Sequence, residues 1–125
     1  MANYLFDTNL FIYAFKEDKK AVKLLEESFK PNKLYLSVIV VAEIYSSNNK
    51  EFISKVDELS NCAILLPIDY EISVIAGQLR AKTKKTGKAY LADCLIAATA
   101  IHHDLTLITN NKKDFSFPGL KLKLY

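Results

Sequence analysis

The sequence predicts an α/β domain built on a mostly parallel sheet, and three observations carry that reading. Short apolar runs recur along the chain, at residues 3–6, 34–36, 63–66 and 105–109. The segments between them place apolar residues at helical spacing. Strands that are apolar on both faces and alternate with helices need a sheet that is covered on both sides. Only three Gly and three Pro occur among 125 residues, which leaves little room for long irregular loops.

The elements follow in order. Asn3-Tyr4-Leu5-Phe6 forms a buried strand that stops at Asp7, and Thr8 or Asn9 can cap the helix after it. Asp18 is placed to cap a second helix over about 18–30, in which Val22, Leu25 and Phe29 share a face, and Pro31 and Asn32 break it. Leu34-Tyr35-Leu36 makes the next strand. Ser37 then caps the helix VIVVAEIYSS, which carries Glu43. Phe52, Ile53, Val56 and Leu59 mark a helix near 50–60, and Ala63 to Leu66 a third strand closed by Pro67. Asp69 caps a helix with Ile72, Ile75, Ala76 and Leu79 on one face. The basic stretch RAKTKKTGK leads to an apolar helix, YLADCLIAATAIHH. LTLIT is the fourth strand, NNKKDF a loop, and residues 120–125 a last strand.

The length suits one domain, residues 1–125, large enough to bury a core without staples. Seventeen basic and fourteen acidic residues give a net charge of +3, compatible with an anionic partner. Cys62 and Cys94 lack the spacing of a disulfide framework or a metal site, and their apolar neighbours predict two buried thiols. The N-terminus has no basic segment leading into an apolar one, and no apolar run is long enough to span a bilayer. A cytoplasmic protein is expected.

The carboxylates divide by their surroundings. Glu17, Asp18, Glu26, Glu27, Glu51, Asp57 and Glu58 lie among polar residues and suit solvated helix faces. Asp7 ends an apolar strand, Glu43 sits in VVAEIY, Asp93 sits in LADCLIAA, and Asp114 follows a strand in TNNKKDF. A bare buried charge costs several kcal/mol unless it is paired, hydrogen-bonded or metal-bound. Ligands of open parallel sheets bind beyond the carboxyl ends of the strands, where all four acids can converge. Gathered carboxylates raise one another's pKa, and a divalent cation relieves that repulsion. All-oxygen donors favour Mg²⁺ or Mn²⁺, which activates water and offsets charge developing on a phosphate. For any one of these acids alone, a helix cap is the plainer explanation.

LFDTNLFIY, SVIVVAE, GKAYLADCLIAATA and LTLITNNKKDF, in that order, resemble the motifs of PIN-domain ribonucleases, and in particular VapC-type toxins of toxin–antitoxin pairs. The resemblance runs from residue 4 to about 117. It implies a three-layer α/β/α fold and Mg²⁺- or Mn²⁺-dependent endoribonuclease activity that leaves a 5′-phosphate and a 3′-hydroxyl. Asp7, Glu43 and Asp93 match the family's most regular acidic positions. Asp114 matches the fourth, with Asn111 as an alternative polar contributor. Asp7 and Asp93 would hold the metal, with Glu43 and Asp114 acting through water or a second ion. Thr8, Asn9 and Thr109 match positions that hold acids or water in place. The resemblance also implies an RNA substrate, a cognate antitoxin and a homodimer, and the apolar residues 38–59 suit either a dimer surface or the core.

Arg80, Lys82, Lys84, Lys85 and Lys88 precede the Asp93 motif, and Lys112 and Lys113 flank Asp114. These cations can hold phosphates on either side of the cut, or simply solvate a helix end. Lys16, Lys19, Lys20 and Lys23 read as ordinary helix surface. Tyr13 and Tyr90 can stack on a base, although packing explains both. His102 and His103 lie at a helix C-terminus, where interaction with the helix dipole is expected rather than a role as general base. Three other readings compete: a PIN nuclease of RNA maturation, a non-catalytic module on the same fold, and a phosphoacceptor receiver domain. The filled acidic positions oppose the second. The missing acidic pair and strand-end Lys oppose the third.

Overall fold

A computed structural model describes residues 3–28, 34–83 and 91–124. The elements are β1 (Tyr4–Phe6), α1 (Thr8–Phe15), α2 (Lys19–Ser28), β2 (Tyr35–Ser37), α3 (Val38–Ser46), α4 (Lys50–Cys62), β3 (Ile64–Leu66), α5 (Tyr70–Lys82), α6 (Leu91–His102), β4 (Thr106–Thr109) and β5 (Lys121–Leu124). Phe29, expected on the apolar face of α2, and Pro31 and Asn32, expected to end it, lie outside the described residues, as do Lys84, Lys85, Lys88 and Tyr90.

Polar residues cap the helices that follow the strands. Asp7 leaves β1 with extended dihedrals and accepts the Leu10 N–H, so Asp7 itself caps α1. That corrects the expectation that Thr8 or Asn9 would do so; both lie within the helix. Ser37 caps α3 through the Ile39 N–H, Asn49 caps α4 through Phe52, and Asp69 caps α5 through Ile72. Asp18 accepts from the Ala21 N–H at the start of α2, 3.0 Å away. Such caps satisfy donors that the first turn leaves open, at about 1 kcal/mol each.

The helix ends are equally definite. After α1, Glu17 takes a left-handed backbone (φ 62°). The Glu17 N–H bonds to Ala14 O and the Asp18 N–H to Tyr13 O, both at 3.0 Å. Asp104 (φ 54°) closes α6 in the same way, its N–H on Ile101 O and that of Leu105 on Ala100 O. Both are the Schellman arrangement, with a carboxylate residue where glycine is usual.

The sheet has five strands in the order β3-β2-β1-β4-β5, and all the neighbours are parallel. The crossovers β1→β2 and β2→β3 run one way and β3→β4 runs back. Right-handed connections therefore place the helices after β1 and β2 on one face and those after β3 on the other. This is the three-layer α/β/α arrangement that the resemblance implies. Between β1 and β4 the strand order reverses, which opens a crevice at the carboxyl ends.

The core explains the hydrophobic sequence runs. Leu5, Phe6, Leu10, Phe11, Leu36, Val40, Ile44, Ile96, Leu107 and Ile108 are fully buried. Each contributes about 1.5–3 kcal/mol by leaving water. Phe6, Phe11, Phe15 and Phe52 form a run of ring contacts with centroids 5.8, 6.3 and 5.8 Å apart, linking β1, α1 and α4. On α6 the small residues Cys94, Ala97, Ala98 and Ala100 are buried, and the helix packs against α5. Cys94 is thus buried as expected, whereas Cys62 is exposed at the last turn of α4. Its apolar neighbours Ala63 and Ile64 lie past the helix end, in the extended cap residue and the first residue of β3.

Candidate functional site

The strand register builds the first half of the site. Phe6 pairs with Ile108, so the next rung sets Asp7 beside Thr109. The Asp7 N–H continues that ladder to Ile108 O at 3.3 Å. Asp7 is 2% exposed and Thr109 is fully buried. The Thr109 hydroxyl donates to Asp7 Oδ2, while Asp7 Oδ1 takes the Leu10 N–H at 2.9 Å. Each carboxylate oxygen keeps a further lone pair for a ligand.

Three other elements bring the remaining acids. Glu43, in the second turn of α3, accepts the hydroxyl of Thr8 at the start of α1. Asp93 stands in the first turn of α6, where the helix N-terminus favours a carboxylate. Asp114 lies in the loop after β4 and accepts from the Asn111 side-chain amide. The Asn111 backbone N–H donates to Thr109 Oγ1 at 3.0 Å. A chain of hydrogen bonds thus runs from the Asp114 loop through Asn111 and Thr109 to Asp7.

Asp7, Thr8, Asn9, Glu43, Asp93, Asn111 and Asp114 line one pocket of about 60 Å³, with Ile96 and Phe115 as its apolar walls. That volume suits a few waters or one partly hydrated cation. The four acids form one electrostatic unit. Burial pushes the Asp93 carboxyl up to about 6, helped by the charges of Asp114, Glu43 and Asp7. Burial also raises Asp7, aided by Glu43 and opposed by the bonds from Thr109 and Leu10. Among the described residues, the ion pairs all involve other carboxylates. The donor set is all oxygen and fits a hard divalent cation. Among the described residues no three acidic, His or Cys side chains already enclose an ion-sized point. The Thr8, Thr109 and Asn111 donors each hold one acid, Glu43, Asp7 and Asp114 in turn.

The structure brings together all four acids read from the sequence, and Thr8, Asn9 and Asn111 with them. Thr109 sits behind Asp7. Sequence reasoning missed Ile96 and Phe115. The only signal for them was their spacing, three residues past Asp93 and one past Asp114. Arg80 is exposed in the last turn of α5 and acts electrostatically on Cys94, next to Asp93; Lys112 is exposed in the Asp114 loop. His102 does lie in the last turn of α6, and two carboxylates also face it: Glu71 at 3.6 Å and Asp69 at 4.0 Å.

A PIN domain family model matches residues 4–117. A protein named ribonuclease VapC2, from Rickettsia felis, is 31% identical over 128 residues, covering 96% of each chain. The crystal structure of VapBC2 from Rickettsia felis, bound to a DNA fragment from their promoter, aligns with a TM-score of 0.81 at 32% identity, over 98% of both chains. A toxin–antitoxin complex from Klebsiella pneumoniae aligns with a TM-score of 0.75 at 30% identity, over 94% of both.

Proposed function

The chain belongs to the PIN-domain family, and on that premise we propose that it is a metal-dependent endoribonuclease, the toxin of a toxin–antitoxin pair. The observation that carries the reading is the cluster of Asp7, Glu43, Asp93 and Asp114 around one pocket with no cationic side chain paired to any of them among the described residues. Clustered carboxylates without a counter-charge are costly and suit a site that receives a cation.

Asp7 and Asp93 would hold Mg²⁺ or Mn²⁺, with Glu43 and Asp114 contributing through water or a second ion. When bound, the cation supplies an activated water and charge relief at phosphorus. The chain's own residues supply orientation. Thr109 and the Leu10 N–H fix the Asp7 carboxylate. Thr8 fixes Glu43, and Asn111 fixes Asp114. Asn9, exposed, adds a neutral polar group to the pocket lining. Arg80, Lys112 and the basic residues Lys84, Lys85 and Lys88 would hold the RNA phosphates on either side of the cut. Products carry a 5′-phosphate and a 3′-hydroxyl.

The antitoxin partner is supported by the solved relatives, which include a toxin–antitoxin complex. The reading takes residues 1–125 as one PIN domain that forms a homodimer in the cytoplasm. Among the described residues, no helix is long and apolar enough to cross a membrane.

The test is cleavage of total RNA by purified protein with Mg²⁺ or Mn²⁺, against EDTA and against Asp7→Asn. Asn keeps the cap on α1 and removes the charge. Discrete, metal-dependent fragments that vanish in the variant are expected. Equal fragmentation by both proteins would remove Asp7 from the reaction.

A further inference from the structure

The acid pocket borders the first turn of α1. Asn9 lines the pocket and is exposed. One turn on, Tyr13 leaves 39% of its surface in solvent, and Lys16, at the helix end, is exposed as well. The spacing i, i+4, i+7 sets the three on one stripe of the helix. At 1.5 Å per residue the stripe runs about 10 Å away from the carboxylates. The opposite face of α1, with Leu10, Phe11 and Phe15, is committed to the core. Glu17 and Asp18 follow and close the stripe with negative charge.

The order of side chains along this stripe has a chemical logic. An amide pairs with base edges or sugar hydroxyls, a phenol ring stacks on any base, and an ammonium holds a phosphate. Single-stranded nucleic acid is bound by this combination of an aromatic platform and a cation. We propose that Asn9, Tyr13 and Lys16 bind the RNA segment that flanks the scissile bond, with Tyr13 stacking on one of its bases. The assignment rests on the nuclease reading above. It turns Tyr13 into a residue that sets affinity and the position of the cut, and gives Lys16 a role beyond general helix solvation. RNA is favoured over a protein occupant by two features. The stripe begins at Asn9, which lines the acid pocket, and Lys16 gives it an ammonium group ahead of Glu17 and Asp18.

The test measures binding of a fluorescein-labelled, random-sequence single-stranded RNA 12-mer in EDTA, where no cutting occurs. Tyr13→Ala is expected to weaken binding about tenfold and Tyr13→Phe to leave it within about twofold, since the ring carries the effect. Lys16→Ala should lower the slope of log affinity against log salt by about 0.7. Tyr70→Ala, at an 83% exposed site on α5, is the control and should change nothing. Unchanged binding by Tyr13→Ala, or equal loss in the Ala and Phe variants, overturns the stripe while metal-dependent cleavage by wild type leaves the nuclease reading intact. Unchanged RNA binding with a shift in sedimentation also overturns it and makes the stripe a protein contact. Wild type that neither binds nor cuts RNA removes both readings.

Discussion

Replacing Asp93 with Asn should stabilise the metal-free protein near neutral pH while abolishing cleavage. In the folded chain this carboxyl titrates at about 6 instead of 3.8, because it is partly buried and faces Asp114, Glu43 and Asp7. A folded pKa above the unfolded one means that the native state holds the proton more tightly. Stability therefore falls as pH rises from about 4 to about 6, and the full penalty of the ionised group applies above that. A shift of roughly two units corresponds to about 3 kcal/mol at most. Asp93 is only half-buried, so solvent screening reduces this to about 1–2 kcal/mol. The Asn side chain is nearly isosteric and carries no charge. Urea melts at about pH 7.5 should show the variant more stable by that amount, with a Tm higher by about 3–7 °C. At about pH 3, below the unfolded value of 3.8, the difference should nearly vanish, since Asp93 is then largely protonated in both states. Saturating Mg²⁺ should reverse the order at pH 7.5, by stabilising wild type by about 3 kcal/mol at a hundred times its Kd and the variant by less. A variant less stable than wild type at pH 7.5, or equally improved at both pH values, would refute the electrostatic account of the pocket.

Two further predictions concern the frame around the acids. Thr109→Val removes the donor to Asp7 and leaves the Asn111 N–H without its acceptor, at a fully buried position. A loss of about 2 kcal/mol in urea unfolding and a fall in cleavage are expected, with Thr109→Ser close to wild type; a Val variant that matches wild type in both would show the hydroxyl to be idle. Glu17 occupies a left-handed position (φ 62°) that glycine adopts freely. Glu17→Gly should therefore stabilise by about 0.5–1 kcal/mol, read as a higher urea midpoint at unchanged slope, and a lower midpoint would contradict the assigned cost.

Much of this molecule was legible in its sequence because local chemistry and tertiary structure agree. The strand that ends at Asp7, the Ser37 and Asp69 caps and the apolar helix around Asp93 follow from short-range rules. The acids stood out because a carboxylate in VVAEIY or LADCLIAA has no cheap explanation as surface. What stayed hidden depended on which strands are neighbours. The bond from Thr109 to Asp7 spans 102 residues and exists only because β4 adds beside β1. The resemblance marked Thr8 as a group that holds an acid or water, but nothing in the sequence says that the acid is Glu43, which α3 brings within reach of its hydroxyl. Cys62 misled because apolar neighbours in sequence imply burial in a strand but not at a helix end.

The adjacency of β1 and β4 also orders events during synthesis. A ribosome delivers Asp7 first, Glu43 and Asp93 later, and Asp114 only after most of the chain has been made. The strand that carries Thr109 closes the sheet around Asp7 from the late side. A nascent chain that stops before residue 106 has β1, β2 and β3 but lacks this wall, the Asn111 relay and the fourth carboxylate. For a proposed ribonuclease made on a machine of RNA, that timing is protective: products terminated before residue 106 carry no assembled site, and the hazard arises only once Asp114 has been made.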